Sequence, residues 1–334
     1  MADAVCFISW ESYVRGPDGR GFFAQEPLSF NSRQARLHQV KPGDCLWLVS
    51  RHPDNKQYYI VAVLRVAELQ RNDPQGELGR AYGEFGVVAH RIGSYDLGRR
   101  FPADGLLRSL AYETGKPIKH GASIGQSIQA IRFLDRADTI LLNYCLNRVL
   151  TGLEPQPGSC GLWTKCDRTF ANYFLANWES RRVPQAFLLF DSPPTLPVGA
   201  PVFIHSEQSL RLMARFRESQ FVSAYKRTNT SDERQEEKER CWTEHRAGTI
   251  DAPSREEFDE FWEKQDSIRA LIILDNFLPI PRPTQFKEYG KALEWGYPTS
   301  VGWRPLDLFQ VHYLMNLSQL DATIVSFYLG AVLK

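Results

Sequence analysis

Aromatic, hydroxyl-bearing and cationic side chains recur together in the first half of this chain of 334 residues. A nucleobase turned out of its stack needs a flat aromatic wall, a few polar groups for its edge and cations for the flanking phosphates. The candidates for base contact are Trp10, Ser9, Ser12, Asn31, Trp47, Ser50 and, in the second half, Trp303. The candidates for phosphate contact are Arg15, Arg33, Arg51, Lys116, Lys119 and His120.

Each of these candidates also has a purely structural interpretation. Trp47 lies in an apolar run, which is typical of core packing, whereas Trp10 borders polar residues and is the better candidate for a ligand. Trp303 follows a glycine, a position that can line a pocket. The basic loop at 115–123 contains glycines whose exposed backbone N–H groups suit an anion, although an ordinary solvated loop is the simpler interpretation.

Familiar catalytic and metal-binding signatures are missing from the sequence. It contains no G-x-S-x-G, no Walker A and no H-E-x-x-H pattern. Cys160 and Cys166 have no neighbouring pair of Cys or His residues, so the spacing of a zinc site is not met. We therefore expect no catalytic residue, metal or cofactor, and binding is a better interpretation than catalysis.

The charge balance limits how the chain could bind a nucleic acid. It has 40 basic and 39 acidic residues, a formal charge of +1, so contact with phosphates needs a local patch. The hydrophobic fraction of 43% is that of a soluble globular protein. Neither a signal peptide nor an apolar stretch of about 20 residues is present, so we expect a cytoplasmic protein without membrane contact, whose cysteines are reduced.

A hairpin over residues 41–66 is the element that must position the first-half candidates. Pro42 and Gly43 favour a turn, because proline presets φ and glycine permits positive φ. The runs at 45–49 and 58–66 are rich in β-branched and aromatic residues, which predicts two antiparallel strands. Strands that are apolar at nearly every position suit a small closed barrel that is covered on both faces.

The remaining elements predict an α+β fold that is mainly β with flanking helices. We expect a first strand at 5–10 that ends on Trp10, and helices at 135–150, 163–178, 306–313 and 317–333. The helix at 135–150 has Asp135 as its cap. The last two helices are apolar and offer a surface for a protein partner.

Composition divides the chain into two domains. Residues 151–160 contain closely spaced proline and glycine, which is typical of a linker between domains at 1–150 and 161–334. The second domain contains a charged insert near 229–240. Residues 42–50 are echoed at 198–206, and 121–126 at 298–303, so that Trp303 takes the place of Gln126. These echoes predict an internal duplication of one small β domain with helices.

The pattern resembles the PUA-like superfamily, and within it the EVE, ASCH and YTH-like domains. In the first half the resemblance rests on the early strand, the turn and strand at 42–49, the returning strand at 59–66 and the segment 124–129. In the second half it rests on 242–245, 254–258, 270–274 and 281–289, an order similar to ASCH-like domains. The resemblance implies two β barrels in tandem, EVE-like first and ASCH- or EVE-like second.

What the resemblance implies for function is a nucleic-acid-binding protein that reads one extruded, modified base in an aromatic pocket. One alternative is a hydrolase of a modified nucleoside, as in some ASCH-like proteins that use a Lys, a Thr and a Glu. Lys226 with Thr228, or Lys287 with Glu288, could supply such a set, but the family's short Lys–Thr spacing is not reproduced. A further alternative is a non-catalytic interaction subunit of a defence or restriction system.

Overall fold

Two curled sheets flanked by helices make up the fold in a computed structural model, and the predicted α+β class is confirmed. The structure describes residues 3–16, 19–119, 121–155, 158–166, 185–190, 195–221, 268–293 and 303–332, with a few single positions between them. The chain divides into two units, Met1–Gln156 and Pro157–Lys334.

The first unit contains a sheet and short helices. Its strands are β1 (Ala4–Phe7), β2 (Ser29–Ser32), β3 (Cys45–Arg51), β4 (Tyr58–Arg71), β5 (Phe85–Asp96) and β6 (Arg132–Phe133). Its helices are α1 (Trp10–Arg15), α2 (Glu77–Tyr82), α3 (Asp104–Ser109), α4 (Ile124–Ser127) and α5 (Arg136–Leu150), with 3₁₀ turns at Phe22–Ala24, Ala35–Gln39 and Tyr112–Thr114. The predicted helix capped by Asp135 is confirmed as α5, since the Asp135 carboxylate accepts a hydrogen bond from the Asp138 amide at 2.8 Å.

The predicted hairpin is confirmed as β3 and β4. The two strands pair antiparallel, with Leu46 opposite Leu64. Gly43 begins the pairing with φ +93 and donates its N–H to the Val66 carbonyl at 2.8 Å. A side chain rarely tolerates that φ, which is why glycine stands there. Residues Cys45 to Leu64 of the two strands are buried at nearly every position, so the sheet is covered on both faces here.

The second unit repeats this composition of strands and helices. Its strands are β7 (Gly161–Lys165), β8 (Gln185–Phe190), β9 (Pro201–Ser206), β10 (Ser209–Phe221), β11 (Ile268–Gln285) and β12 (Trp303–Leu306). Its helices are α6 (Phe286–Tyr289), α7 (Leu308–Leu317) and α8 (Ala322–Val332), and the last two confirm the predicted closing helices. The prediction that a helix begins at Trp163 is wrong, because Trp163 lies in β7 between β9 and β12. Most of the predicted charged insert lies outside the described residues.

The two units have the same strand order. Along the first sheet it is β2-β5-β4-β3-β1-β6, and along the second, read from its other edge, it is β8-β11-β10-β9-β7-β12. In each sheet the first strand of the unit runs parallel to the third, and the other described pairs are antiparallel. Within the described residues both sheets are curled, and one of them forms a half-barrel.

The agreement between the units extends to single positions. Gly199 has the same φ of +93 as Gly43, and it donates its N–H to the next long strand in the same way, at 2.8 Å. The pairing of β1 with β3 matches that of β7 with β9 in the pairs Ala4–Leu46 and Leu162–Val202, and in the hydrogen bonds Ile8–Val49 and Cys166–His205. These registers make Ser50 of the first unit equivalent to Ser206 of the second.

Trp10 lies in a helix and not at the end of a strand as predicted. The first strand ends at Phe7, and α1 begins at Trp10. The cause is Ser9, whose hydroxyl accepts a hydrogen bond from the Ser12 amide at 3.0 Å and so caps the first turn. Among the residues that the structure describes, we find no helix with the length and apolar character needed to cross a membrane.

Candidate functional site

The partly exposed ring of Trp10 lies at one end of the first sheet. It packs on its inner side against the hydrophobic core that includes Ile8 and Tyr59. Its centroid is 4.5 Å from that of His52, whose ring meets it edge-on at 68°, and 5.6 Å from that of Tyr13. Three aromatic rings from α1 and the β3–β4 hairpin therefore meet where the core reaches the surface.

The backbone fixes Trp10 at this place. Ile8 donates its N–H to the Val49 carbonyl at 2.9 Å, which extends the parallel pairing of β1 and β3 to within two residues of Trp10. Ser9 then caps α1, and its hydroxyl also lies 2.6 Å from the Ser12 hydroxyl. Both serines are exposed, so this pair of hydroxyl groups lies next to the ring and within reach of water.

The β3–β4 turn supplies the second wall of the site. His52 is buried, and its Nδ1 accepts a hydrogen bond from the Asp54 amide at 3.3 Å. The Tyr59 hydroxyl donates to Gln57 Oε1 at 2.8 Å and accepts from Asn55 Nδ2 at 2.9 Å. These bonds tie the aromatic rings to a polar turn, so the wall is held in one orientation before any ligand arrives.

Tyr13 closes the third side of the site. Its hydroxyl donates to the Asp96 carboxylate at 2.5 Å, which joins α1 to the end of β5. Burial raises the pKa of Tyr13, and the Asp96 carboxylate raises it further because a tyrosinate beside it would be repelled. Tyr13 therefore remains a neutral hydrogen-bond donor at any physiological pH.

Two exposed arginines follow β5 and reach the same group of residues. Arg99 Nη1 lies 3.5 Å from His52 Nε2. Arg100 donates to the backbone carbonyl of Asp96 at 2.5 Å and to that of Leu97 at 3.3 Å. Each guanidinium group contacts the protein through some of its nitrogens, and both residues are exposed. They therefore bring positive charge to the rim of the aromatic group.

Ser50 lies on β3, two residues before His52. It is 0% exposed, it stands opposite Tyr59 in the β3–β4 pairing, and its Oγ has no hydrogen-bond partner among the described residues. A buried hydroxyl without a partner costs roughly 1 to 3 kcal/mol. Leaving this hydroxyl unpaired is therefore costly in the absence of a ligand.

The structure does not bring Trp47 and Asn31 to this group. Trp47 alternates with core-facing Leu46 and Leu48, so it points to the other face of β3, and it is 0% exposed. Asn31 alternates with core-facing Phe30, and its Oδ1 accepts hydrogen bonds from neighbouring amide side chains at 2.9 and 3.1 Å. A fully buried indole has no face left for a base, so we leave both residues out of the site proposed below.

The predicted phosphate contacts lie on the surface at several places. Arg15 is exposed at the end of α1 and pairs with Glu11 at 2.8 Å. The exposed Arg51 has its guanidinium carbon 5.7 Å from the centroid of the Tyr58 ring and adjoins His52 in the chain. Both are therefore close in sequence to the aromatic group.

The other predicted phosphate contacts lie on elements that do not contribute to this group. Arg33 donates to the Arg80 carbonyl at 3.2 Å, beside α2. Lys116 and Lys119 are exposed in the loop before α4. His120 lies outside the described residues. The phosphate contacts of these four residues therefore remain predictions.

The second unit carries different side chains at the described positions that are equivalent to the site. Ser206 matches Ser50 and is also fully buried without a hydrogen-bond partner in the described chain. Ser209, however, stands opposite Ser206 where Tyr59 stands opposite Ser50. Arg168, two residues beyond the Cys166–His205 bond, takes the position of Trp10 and pairs with a glutamate at 2.7 Å.

Trp303 lies on β12 and not in the place of Gln126, which belongs to α4. The second echo seen in the sequence is therefore out of register. Trp303 is half-buried and stands opposite Thr164 of β7. It shares no element with the aromatic group of the first unit.

Sequence reasoning missed His52, Tyr13, Asp96 and the two arginines after β5. His52 reads as part of a polar turn, and only the hairpin geometry brings its ring against Trp10. Tyr13 and Asp96 are 83 residues apart, and nothing local in the sequence signals their hydrogen bond. Tyr59 could have been identified from the sequence, because it is an aromatic residue in the second strand of the predicted hairpin, and that strand pairs with the one that contains Ser50.

The described residues give little support to the alternative function of a nucleoside hydrolase that the sequence left open. Lys226 and Thr228 lie outside them, while Lys287 is exposed and Glu288 forms a surface ion pair with Arg282 at 3.4 Å. In the part of the chain that the structure describes, no group of three or more His, Cys, Asp or Glu side chains could hold a metal ion.

Comparison with known proteins gives only a weak likeness. No family model matches the chain, and no curated protein matches it. Solved structures that match include ASCH from Zymomonas mobilis, at 12% identity over 47% of this chain and 95% of that chain, with a TM-score of 0.34. Two single-substitution variants of that protein match at 11 to 12% identity, over 47 to 48% of this chain and 98% of theirs, with TM-scores of 0.33 and 0.34. A likeness at that level carries no information on a ligand or a site.

Proposed function

We propose that this chain binds nucleic acid and holds one extruded base against Trp10 in the first unit. The observation that carries the proposal is a partly exposed indole in a fixed aromatic group, with His52 and Tyr13 beside it and arginines at its rim. Stacking of a base on an aromatic side chain is worth about 1 to 3 kcal/mol. That energy is comparable with the few kcal/mol that unstacking a base costs.

In this proposal, serine hydroxyl groups recognise the edge of the base. Ser9 and Ser12 present exposed hydroxyl groups next to the ring, and each hydroxyl can donate or accept. The buried Ser50 hydroxyl would gain a partner if a base entered, which would recover the cost of leaving it unpaired. The resemblance of the sequence to EVE- and YTH-like domains favours a modified base as the ligand.

Backbone contacts fall to cations close to the aromatic group. Arg99 and Arg100 are exposed at the rim, and Arg15 and Arg51 flank it in the sequence. Guanidinium groups bind phosphate in a bidentate manner, so few of them suffice to orient a strand. With a formal charge of +1 the chain as a whole adds little non-specific attraction.

The test is a binding screen of the purified chain against single-stranded and duplex oligonucleotides, with and without modified bases. We expect selective binding to at least one of them and a loss of at least tenfold in affinity for Trp10→Ala, because about 1.4 kcal/mol of stacking is removed. Trp10→Phe should retain part of the affinity. Phe327→Ala removes an aromatic ring that is 53% exposed on α8 and serves as the matched control.

Two outcomes would remove the proposal. One is that no oligonucleotide binds selectively to a folded chain. The other is that Trp10→Ala and Phe327→Ala bind as tightly as the unchanged chain. An interaction subunit without a base pocket would then be favoured, although Val325, Tyr328 and Leu329 of α8 point inward and are buried.

A further inference from the structure

Aromatic rings surround His205 in the second unit, outside the site proposed above. Its ring centroid lies 5.3 Å from that of Trp163 and 5.9 Å from that of Phe286. Trp295 adds a further ring, 5.7 Å from Trp163 and 6.2 Å from Tyr289. His205 itself is 0% exposed, while Trp295 is partly exposed and forms the outer member of the group.

The hydrogen bonds in this group engage only one ring nitrogen of His205. Trp163 Nε1–H can only donate, and it donates to the Tyr289 hydroxyl oxygen at 3.1 Å. The Tyr289 hydroxyl lies 2.7 Å from His205 Nδ1, and either atom can be the donor, depending on the tautomer of His205.

His205 Nε2 has no hydrogen-bond partner among the described residues. Burial lowers the pKa of His205 to about 4, and the nearby Lys165 contributes in the same direction, so the ring is neutral at pH 7. A buried donor or acceptor without a partner costs roughly 1 to 3 kcal/mol, which a ligand with a complementary hydrogen-bonding atom would recover.

Two cations border the same group. Lys165 stands opposite His205 in the parallel pairing of β7 and β9. Arg304 stands opposite Trp163 in β12, and its guanidinium carbon lies 5.1 Å from the centroid of the Trp295 ring. A flat ring that has hydrogen-bonding atoms on its edge and an attached anion would match the aromatic ring, His205 Nε2 and the cations together.

We propose that this group is a second binding site, and that it takes a nucleotide whose ring forms a hydrogen bond with His205 and whose phosphate is held by Lys165 and Arg304. The ring enters beside Trp295, the partly exposed member, and stacks on that indole. The first unit has Val5 and Val49 at the positions equivalent to Trp163 and His205. Because valine offers neither an aromatic ring nor a hydrogen bond, the proposed site is specific to the second unit. The proposal stands apart from base binding at Trp10.

The test is calorimetric titration of the full chain with UMP and GMP, whose rings carry carbonyl acceptors. Uridine, guanosine and inorganic phosphate form separate arms that remove the anion or the ring. We expect one nucleotide to bind at least tenfold more tightly than its nucleoside and than phosphate alone. Arg304→Gln should weaken it at least fivefold, and His205→Phe at least tenfold.

Controls keep each result interpretable. Lys287→Gln removes an exposed positive charge from α6 and should leave the affinity unchanged. Circular dichroism checks the fold of His205→Phe, and Arg304→Gln, on a partly exposed residue, decides the question if that variant fails to fold. Absence of saturable binding at millimolar nucleotide would overturn the proposal. So would affinity that falls in Trp10→Ala but not in Arg304→Gln, since the nucleotide would then occupy the first unit.

Discussion

At the scale of single residues, two tryptophans of the first unit show why residue type alone does not identify a site. Trp10 keeps part of its ring exposed at the start of α1, whereas Trp47, in the middle of β3, is 0% exposed. The apolar run around Trp47 predicts that burial, and the polar neighbours of Trp10 predict its exposure. The local context of a tryptophan thus separates core packing from a candidate stacking surface.

Replacing the buried ring should affect stability. We expect Trp47→Ala to lower the free energy of unfolding by about 3 to 5 kcal/mol, because a fully buried ring leaves a cavity. Trp10→Ala should cost less, since its ring is already partly hydrated. Urea unfolding followed by circular dichroism measures both. Equal losses in the two variants would contradict the assignment of Trp47 to the core and Trp10 to the surface.

Acid should destabilise the fold through His205. Its folded pKa is about 4 and its ordinary value 6.5, so between these pH values the unfolded chain binds the additional proton. The stability that this group contributes is present above pH 6.5 and is lost as the pH falls toward 4, by about 3 kcal/mol in all. Thermal unfolding from pH 7.5 to 4.5 should give a flatter dependence for His205→Phe. Parallel curves for the two proteins would show that His205 is not buried as described.

At the scale of elements, the hairpin follows from its sequence and the site does not. Pro42, Gly43 and the apolar runs predict β3 and β4 because turn chemistry and strand propensity are local properties. Asp135 likewise predicts the start of α5. Trp10 was misplaced because the sequence reads as a strand up to Trp10, and the cap made by Ser9 was not recognised. Trp163 was misplaced because both faces of its strand are buried, which removes the alternation that identifies strands.

Gly43, in the turn before the β3–β4 hairpin, allows a test of the backbone argument at this scale. Gly43→Ala should destabilise the fold by about 1 to 3 kcal/mol, because φ +93 strains any residue with a Cβ although the nearest atom to such a Cβ is a side-chain nitrogen at 3.8 Å. Gly330→Ala in α8 is the matched control. A Cβ there meets nothing within 4 Å, so helix propensity should stabilise the fold by up to about 1 kcal/mol. Urea unfolding that ranks the two variants in the opposite order would contradict the backbone argument.

At the scale of the whole molecule, two units of one strand order carry different side chains at equivalent positions. The first has an aromatic group at Trp10 where the second has Arg168 and Ser209, and the second has His205 and Trp163 where the first has valines. Two short similarities between the halves of the sequence predicted an internal duplication. The strand pairing is what defines which residues of the two units are equivalent. That is why the second echo, which equated Trp303 with Gln126, failed.

The near-zero net charge leads to a prediction about salt. If about three phosphates are contacted, the logarithm of affinity for a single strand should fall with the logarithm of salt concentration with a slope of about −2. Replacing both Arg99 and Arg100 by Gln should make that slope shallower by about 1.4, since two contacts are removed. Arg80→Gln, which removes an exposed positive charge from α2, is the control. An unchanged slope in the double variant would place the phosphates elsewhere.

Photochemical cross-linking tests most directly whether a base stacks on Trp10. An oligonucleotide that binds in the screen is prepared with 5-iodouracil at each position in turn, irradiated with the chain, and the adducts are located by mass spectrometry. The account predicts one position whose adduct lies on the peptide that contains Trp10, and its loss in Trp10→Ala. Adducts confined to peptides of Pro157–Lys334 would contradict it.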